Sequence, residues 1–164
     1  MPDLLTHVLT AYGLATLLSF RDDWITPQYV TVAMVGAIVP DLTKISLLAP
    51  SARVEALLGI PWDWGAIHML GGTLVACLIG ALLTAKKLRR RVFLLLGLGA
   101  ASHLIMEAAN INPLGYSYAI LWPLTTSHPP TPNLFRSSDR WPALVTGTVA
   151  VVVWYFRWYR GDDE

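Results

Sequence analysis

Gly99-Ala-Ala-Ser-His-Leu-Ile-Met-Glu107 lies near the end of an apolar run from about Val92 to Ile111, and the reading of that run decides the fold. A stretch of roughly 20 apolar residues is long enough to cross a bilayer. This one carries His103 and Glu107 four positions apart, which on a helix puts both on one face. Ionisable side chains in such a segment are costly unless they pair or bind something. They therefore mark a functional site, and at this spacing both can reach one metal ion or one proton relay.

The remainder of the chain has the same character. Of its 164 residues, 54% are hydrophobic and only 14% charged, and the mean hydropathy is +0.50. These values predict an integral membrane protein rather than a soluble globule. A net charge of +1 gives no sign of a nucleic-acid partner, so what matters is where the charges sit. Cys77 is the only cysteine and lies inside an apolar run, so no intramolecular disulfide can form.

Working outward, the pattern predicts an all-α, polytopic bundle of about five membrane-spanning helices in a single domain, residues 1–164. The first covers about Leu4–Phe20. Asp3 and no basic residue precedes it, which argues against a cleaved signal peptide. Thr26-Pro27 opens the second, about Gln28–Leu48, where Pro40 predicts a kink just before Asp41 and Pro50 a stop. A short amphipathic connection ends in Ile60-Pro61-Trp62-Asp63-Trp64, whose tryptophans suit the headgroup level. The third helix spans about Trp64–Ala85. Lys86-Lys87-Leu88-Arg89-Arg90-Arg91 leads into the fourth, Val92–Ile111. A proline-rich connection, Asn112–Arg140, includes a Leu114–Leu124 piece of interfacial or re-entrant character. The fifth helix is about Trp141–Tyr159.

Basic residues give an orientation. With Lys86–Arg91 in the cytoplasm, alternating spans place Arg21, Arg157 and Arg160 inside, and Lys44, Arg53, Arg136 and Arg140 outside. The N-terminus is then external, the C-terminus cytoplasmic, and the proline-rich connection external. The same alternation puts His7, Asp41, His68, His103 and Glu107 in the outer leaflet. Three imidazoles and two carboxylates form a nitrogen and oxygen ligand set suited to Zn²⁺, or to Mn²⁺ or Fe²⁺ at higher coordination. Each residue also has a plainer role. His7 can be an interfacial polar residue, Asp41 a helix cap, His68 an interhelical hydrogen bonder, and His103 with Glu107 an intrahelical pair. Asp63 can cap the third helix or join the rim of the site, and His128 reads as a solvated loop residue.

Thr6-His7, Pro40-Asp41-Leu42, Gly65-Ala66-Ile67-His68, Ser102-His103 with Glu107, then Pro113, Gly115 and Trp122-Pro123 follow one another in an order and spacing that resemble a known family. It is that of the membrane-bound metal-dependent hydrolases, also described as LexA-binding, inner-membrane-associated hydrolases. The resemblance runs to about Pro123. The family has a Pro-Asp-hydrophobic-Asp-His element, where this chain has Thr43 and Lys44 in the last two places. It has a His-Arg-Gly-x-Thr-His element, where this chain begins with Asp63, and Glu107 stands where the family usually has Asp. These departures remove two histidine ligands and one carboxylate. The resemblance implies a multi-helix membrane protein with a metal site.

Two functions follow as expectations. One is a metal-dependent hydrolase at the external leaflet, cutting an ester or phosphoester of a lipid or lipid-linked substrate. His7, His68 and His103 would hold the ion with Asp41 or Glu107, and the other carboxylate would take a proton from water. The other is a non-enzymatic membrane protein using the cluster as a structural metal site, proton relay or solute gate.

Overall fold

A computed structural model describes residues 4–161. Among the described residues six α-helices form: α1 (Leu4–Ser19), α2 (Pro27–Gly36), α3 (Ser51–Leu58), α4 (Leu70–Leu82), α5 (Arg89–Ala108) and α6 (Trp141–Tyr159). Two 3₁₀ helices, Val39–Leu47 and Trp64–His68, lie between them. The all-helical expectation stands among the described residues, where pairing is limited to two isolated bridges, Asn110 with Phe135 and Tyr116 with Pro130.

The expectation of about five membrane-spanning helices does not stand. Among the described residues only α5 is long and apolar enough to span, with α2 and the first 3₁₀ helix making a second candidate if their 47° bend is one broken span. The reasons are local. Pro40 leaves no amide hydrogen to continue a ladder, and the α-helix ends at Gly36 before the tighter 3₁₀ turns begin. In the third run, Met69 is extended (φ −109°, ψ 158°), which cuts the helix into a 3₁₀ turn and the 13 residues of α4. α1 has 16 described residues. α6 has 19, but Arg157 and several Trp and Tyr rings dilute its hydropathy.

α5 is the axis of the packing. Its Leu95, Leu96 and Ala100 are buried against Ala15 and Ile25, against Val30 and Ala33 of α2, and against Cys77 and Ala81 of α4. Small residues at these contacts let backbones approach closely. The tightest contacts are at Gly36 and Gly99. A Cβ on Gly99 would fall on the Ala33 carbonyl oxygen, and one on Gly36 on the Leu96 carbonyl oxygen. α1 runs antiparallel to α5. Its His7 stacks on His103 near the C-terminal end of α5, while Trp24, beyond its other end, lies 5.3 Å from the Arg91 guanidinium. Outward faces stay apolar, including Leu14 and Leu17 of α1, Val75 and Ile79 of α4, and Leu144 and Val151 of α6.

The proline-rich connection is strapped across the start of α4. Leu70 and Gly71, whose amides no intrahelical carbonyl can reach, donate to the carbonyls of Ile120 and Trp122, each at 2.8 Å. The Leu114–Leu124 piece forms turns rather than a helix. Gly71 is what permits this docking, since a Cβ there would lie 2.7 Å from Pro123 Cδ and 3.0 Å from the Trp122 ring. Gly71→Ala is expected to cost about 1–3 kcal/mol. It should lower the thermal midpoint in detergent and speed proteolytic cutting within 112–140; unchanged cutting would refute the strap.

Candidate metal centre

The five predicted residues reach one spot from four elements. His7 comes from α1, Asp41 from the first 3₁₀ helix just past Pro40, His68 from the end of the second, and His103 and Glu107 from successive turns of α5. His7 and His103 are fully buried, and Asp41 and Glu107 nearly so. The rings of His7 and His103 stack at 3.8 Å with 16° between planes. His68 meets His103 edge-on at 5.3 Å. One ligand atom from each of His7, His103 and Glu107 lies within 4.8 Å of the others, and so it is for Asp41, His68 and His103.

Backbone carbonyls orient two of the rings. His103 Nδ1–H donates to the Ala37 carbonyl at 2.8 Å, and His68 Nδ1–H to the Pro40 carbonyl at 3.2 Å. Since a carbonyl only accepts, each neutral ring is held with its Nε2 lone pair directed elsewhere, the arrangement typical of metal-binding histidine. The close approach of α2 and α5 at Gly36 and Gly99 brings Ala37 within reach. Its carbonyl is freed because the α-helix ends there.

What remains is a concentration of unused polar atoms. His7 Nδ1 and Nε2, Asp41 Oδ1, His68 Nε2, His103 Nε2 and Glu107 Oε2 are buried with no hydrogen-bond partner in the protein. A buried polar atom left unpaired costs about 1–3 kcal/mol. Such atoms are rare singly and call for an explanation when gathered. Five of the six can offer a lone pair at once, the sixth being whichever His7 nitrogen carries the ring hydrogen, so a cation satisfies five of them together. The nitrogen and carboxylate donors fit a divalent ion of the zinc type. Cys77 is buried in the apolar contact of α4 with α5 and joins neither ligand group.

Lys44, which stands in a motif position of the resembled family, donates its Nζ to Asp41 Oδ2 at 2.8 Å. It fixes that carboxylate and leaves Oδ1 for the centre. Asp63 caps the second 3₁₀ helix, accepting from the Gly65 amide at 2.8 Å, and does not join the cluster. His128 is exposed, and its Nδ1–H donates to the Ser117 carbonyl away from the site. Sequence reasoning missed the Ala37 and Pro40 carbonyls, which carry no side-chain signal. It also missed Asn110 and Tyr118, which line cavities beside Glu107 and His68. A larger cavity, about 660 Å³ between the end of α1, the start of α2 and Arg157 of α6, touches none of the five residues. Compared with known proteins, the chain matches no family model, no curated protein and no solved structure.

Proposed function

We propose that this chain is a metal-dependent hydrolase of the membrane that cleaves an ester or phosphoester at the external face. The reading rests on the partnerless buried atoms of His7, Asp41, His68, His103 and Glu107, one lone pair from each residue. His103 belongs to both ligand groups, and with Nδ1 committed to Ala37 it has one nitrogen to offer, so the groups describe one ion. His7, His68, His103 and Asp41 would hold it, zinc first, with manganese or iron at higher coordination. Such an ion supplies Lewis acidity, polarising a carbonyl or phosphoryl oxygen and making water a better acid. The motif order shared with membrane-bound metal-dependent hydrolases supports the same assignment.

The two carboxylates differ in surroundings. Asp41 is clamped by Lys44, which suits a ligand. Glu107 borders a cavity of about 240 Å³ and keeps Oε2 unpartnered, which suits a general base. Glu107 takes a proton from the attacking water as its oxygen bonds to the scissile centre. It returns that proton to the leaving oxygen as the old bond breaks, giving an acid and an alcohol.

The membrane setting is supported by the apolar outward faces, since contiguous exposed hydrophobic surface marks a lipid or protein contact. Arg89, Arg90 and Arg91 open α5, and His103 lies about 18 Å along the same helix at 1.5 Å per residue. With the arginines cytoplasmic, the metal centre faces the external leaflet. The start of α1 lies at that end, and the end of α6 at the other, where Arg160 packs 5.3 Å from the Phe20 ring.

Complete burial of His7 and His103 favours, as a second reading, a purely structural ion. Glu107→Gln separates the two. The catalytic reading expects metal content to hold near one per chain while hydrolysis falls about 10²–10⁴-fold. Wild-type rates from a variant that keeps its metal would leave only the structural reading.

A further inference from the structure

The cavity of about 660 Å³ beside Arg157 lies at the other end of the molecule from the metal centre. Ser19, in its wall, is about 18 Å along α1 from His7 at 1.5 Å per residue. The volume falls within the roughly 300–1,000 Å³ of ordinary ligand pockets. Three elements meet there: the end of α1 with Phe20, the start of α2 with Thr26 and Gln28, and the end of α6 with Arg157 and Arg160.

The walls carry the chemistry of a phosphate site with places for hydroxyl groups. Arg157 is only 7% exposed, so its charge stands in a poorly solvated wall, where an anion gains more from it than in water. Arg160 lies 5.3 Å over the Phe20 ring. That ring-face contact spends none of the in-plane N–H donors of the guanidinium. Thr26 is the N-cap residue of α2, yet its hydroxyl makes no capping bond, and the positive end of the helix dipole lies in the cavity wall. Asp23 adds an acceptor to the same wall, suited to a hydroxyl and not to a second phosphate.

The surroundings decide between a soluble anion and a lipid. Arg21 follows α1, and Lys86 to Arg91 lead into α5 at the same end, where Arg91 packs against Trp24. The charge pattern places this end in the cytoplasm. Leu17, one turn before Phe20, and Phe156, one turn before Arg160, are both exposed. Apolar surface therefore adjoins a polar, basic cavity, as a lipid with an anionic head requires.

We infer that this cavity binds the head of an anionic phospholipid of the cytoplasmic leaflet. The phosphate sits between Arg157 and Arg160, the hydroxyl groups of the head turn toward Asp23 and Thr26, and the acyl chains lie along Leu17 and Phe156. The site uses the membrane setting and no part of the hydrolase reading.

Native mass spectrometry of the full chain in detergent tests the site, with phosphatidylglycerol and phosphatidylcholine of identical acyl chains as probes. One phosphatidylglycerol per chain should bind about tenfold or more tighter than phosphatidylcholine. Arg160→Gln, at an exposed position and so safer for folding than a change at buried Arg157, should weaken it about tenfold or more, the worth of a charge-assisted hydrogen bond. Lys87→Gln with Arg90→Gln, equally exposed at this end but outside the cavity, should leave binding within about twofold. Equal affinity for the two lipids, or equal losses from the two sets of substitutions, overturns the inference. Glycerol 1-phosphate separates the sources: binding as tight as that of phosphatidylglycerol makes the ligand a soluble phosphate and overturns the lipid assignment. Lipid binding that appears only when the chain is ended at Gly161 gives the cavity to the acids that follow in the sequence, Asp162, Asp163 and Glu164, and overturns it too.

Discussion

His103→Ala is expected to strip the chain of its metal, taking retained ion after dialysis against a chelator from about one per chain to near none. The size of the effect follows from its position. His103 is the only side chain common to both ligand groups. It is also the ring on which the others are arranged, stacked by His7 and met edge-on by His68. Removing an outer partner of a metal-binding histidine typically costs about 10–100-fold in affinity, and removing the histidine itself costs more. Hydrolysis should fall with metal content. Circular dichroism of the variant, compared with metal-free wild type, separates loss of the ion from loss of the fold. A folded variant that keeps one ion per chain would contradict the assignment of His103.

Gly99→Val is expected to cost both stability and metal through a residue that touches no ion. Its Cβ would fall on the Ala33 carbonyl oxygen and lie 2.6 Å from the Ala37 nitrogen. Both are backbone atoms, so a rotamer change gives no relief and α2 must retreat from α5. Overpacking typically costs about 1–3 kcal/mol, and a forced backbone shift belongs at the upper end. At about 2–4 °C per kcal/mol for a chain of this size, the thermal midpoint should drop by roughly 6–12 °C. Retreat of α2 also withdraws the Ala37 carbonyl from His103 Nδ1, so affinity for the ion should fall about 10–100-fold. Gly97→Val is the control, because a Cβ at Gly97 meets nothing within 4 Å. Equal losses from both substitutions would show generic helix weakening.

The sequence carried the helices where a single apolar run had no internal break. α1 and α6 begin and end within a residue of their expected bounds, and α5 is displaced by about one turn. It misled where an apolar run is bent or interrupted. Hydropathy is blind to the backbone, so the residues from Gln28 to Leu48 and from Trp64 to Ala85 read as two spans. Pro40 and the extended Met69 divide them. Pro40 did announce its kink, though not how short the elements on either side would be.

The clustering of the five side chains was legible for a related reason. Five ionisable side chains in apolar surroundings stand out because burying them is costly, whatever the helices around them do. What holds them was not legible. The Ala37 carbonyl is an acceptor because the α-helix stops there, the Pro40 carbonyl belongs to the first turn of the 3₁₀ helix, and Gly99 and Gly36 matter only through the backbones that face them. Asn110 and Tyr118 are ordinary residues in the sequence and reach the site only through the fold.

X-ray absorption at the metal edge of zinc-loaded protein tests the central claim most directly. One zinc per chain with about three imidazole nitrogens and one carboxylate oxygen at roughly 2.0–2.2 Å is the expected result. A shell of oxygen scatterers without imidazole, or no zinc retained, would contradict it.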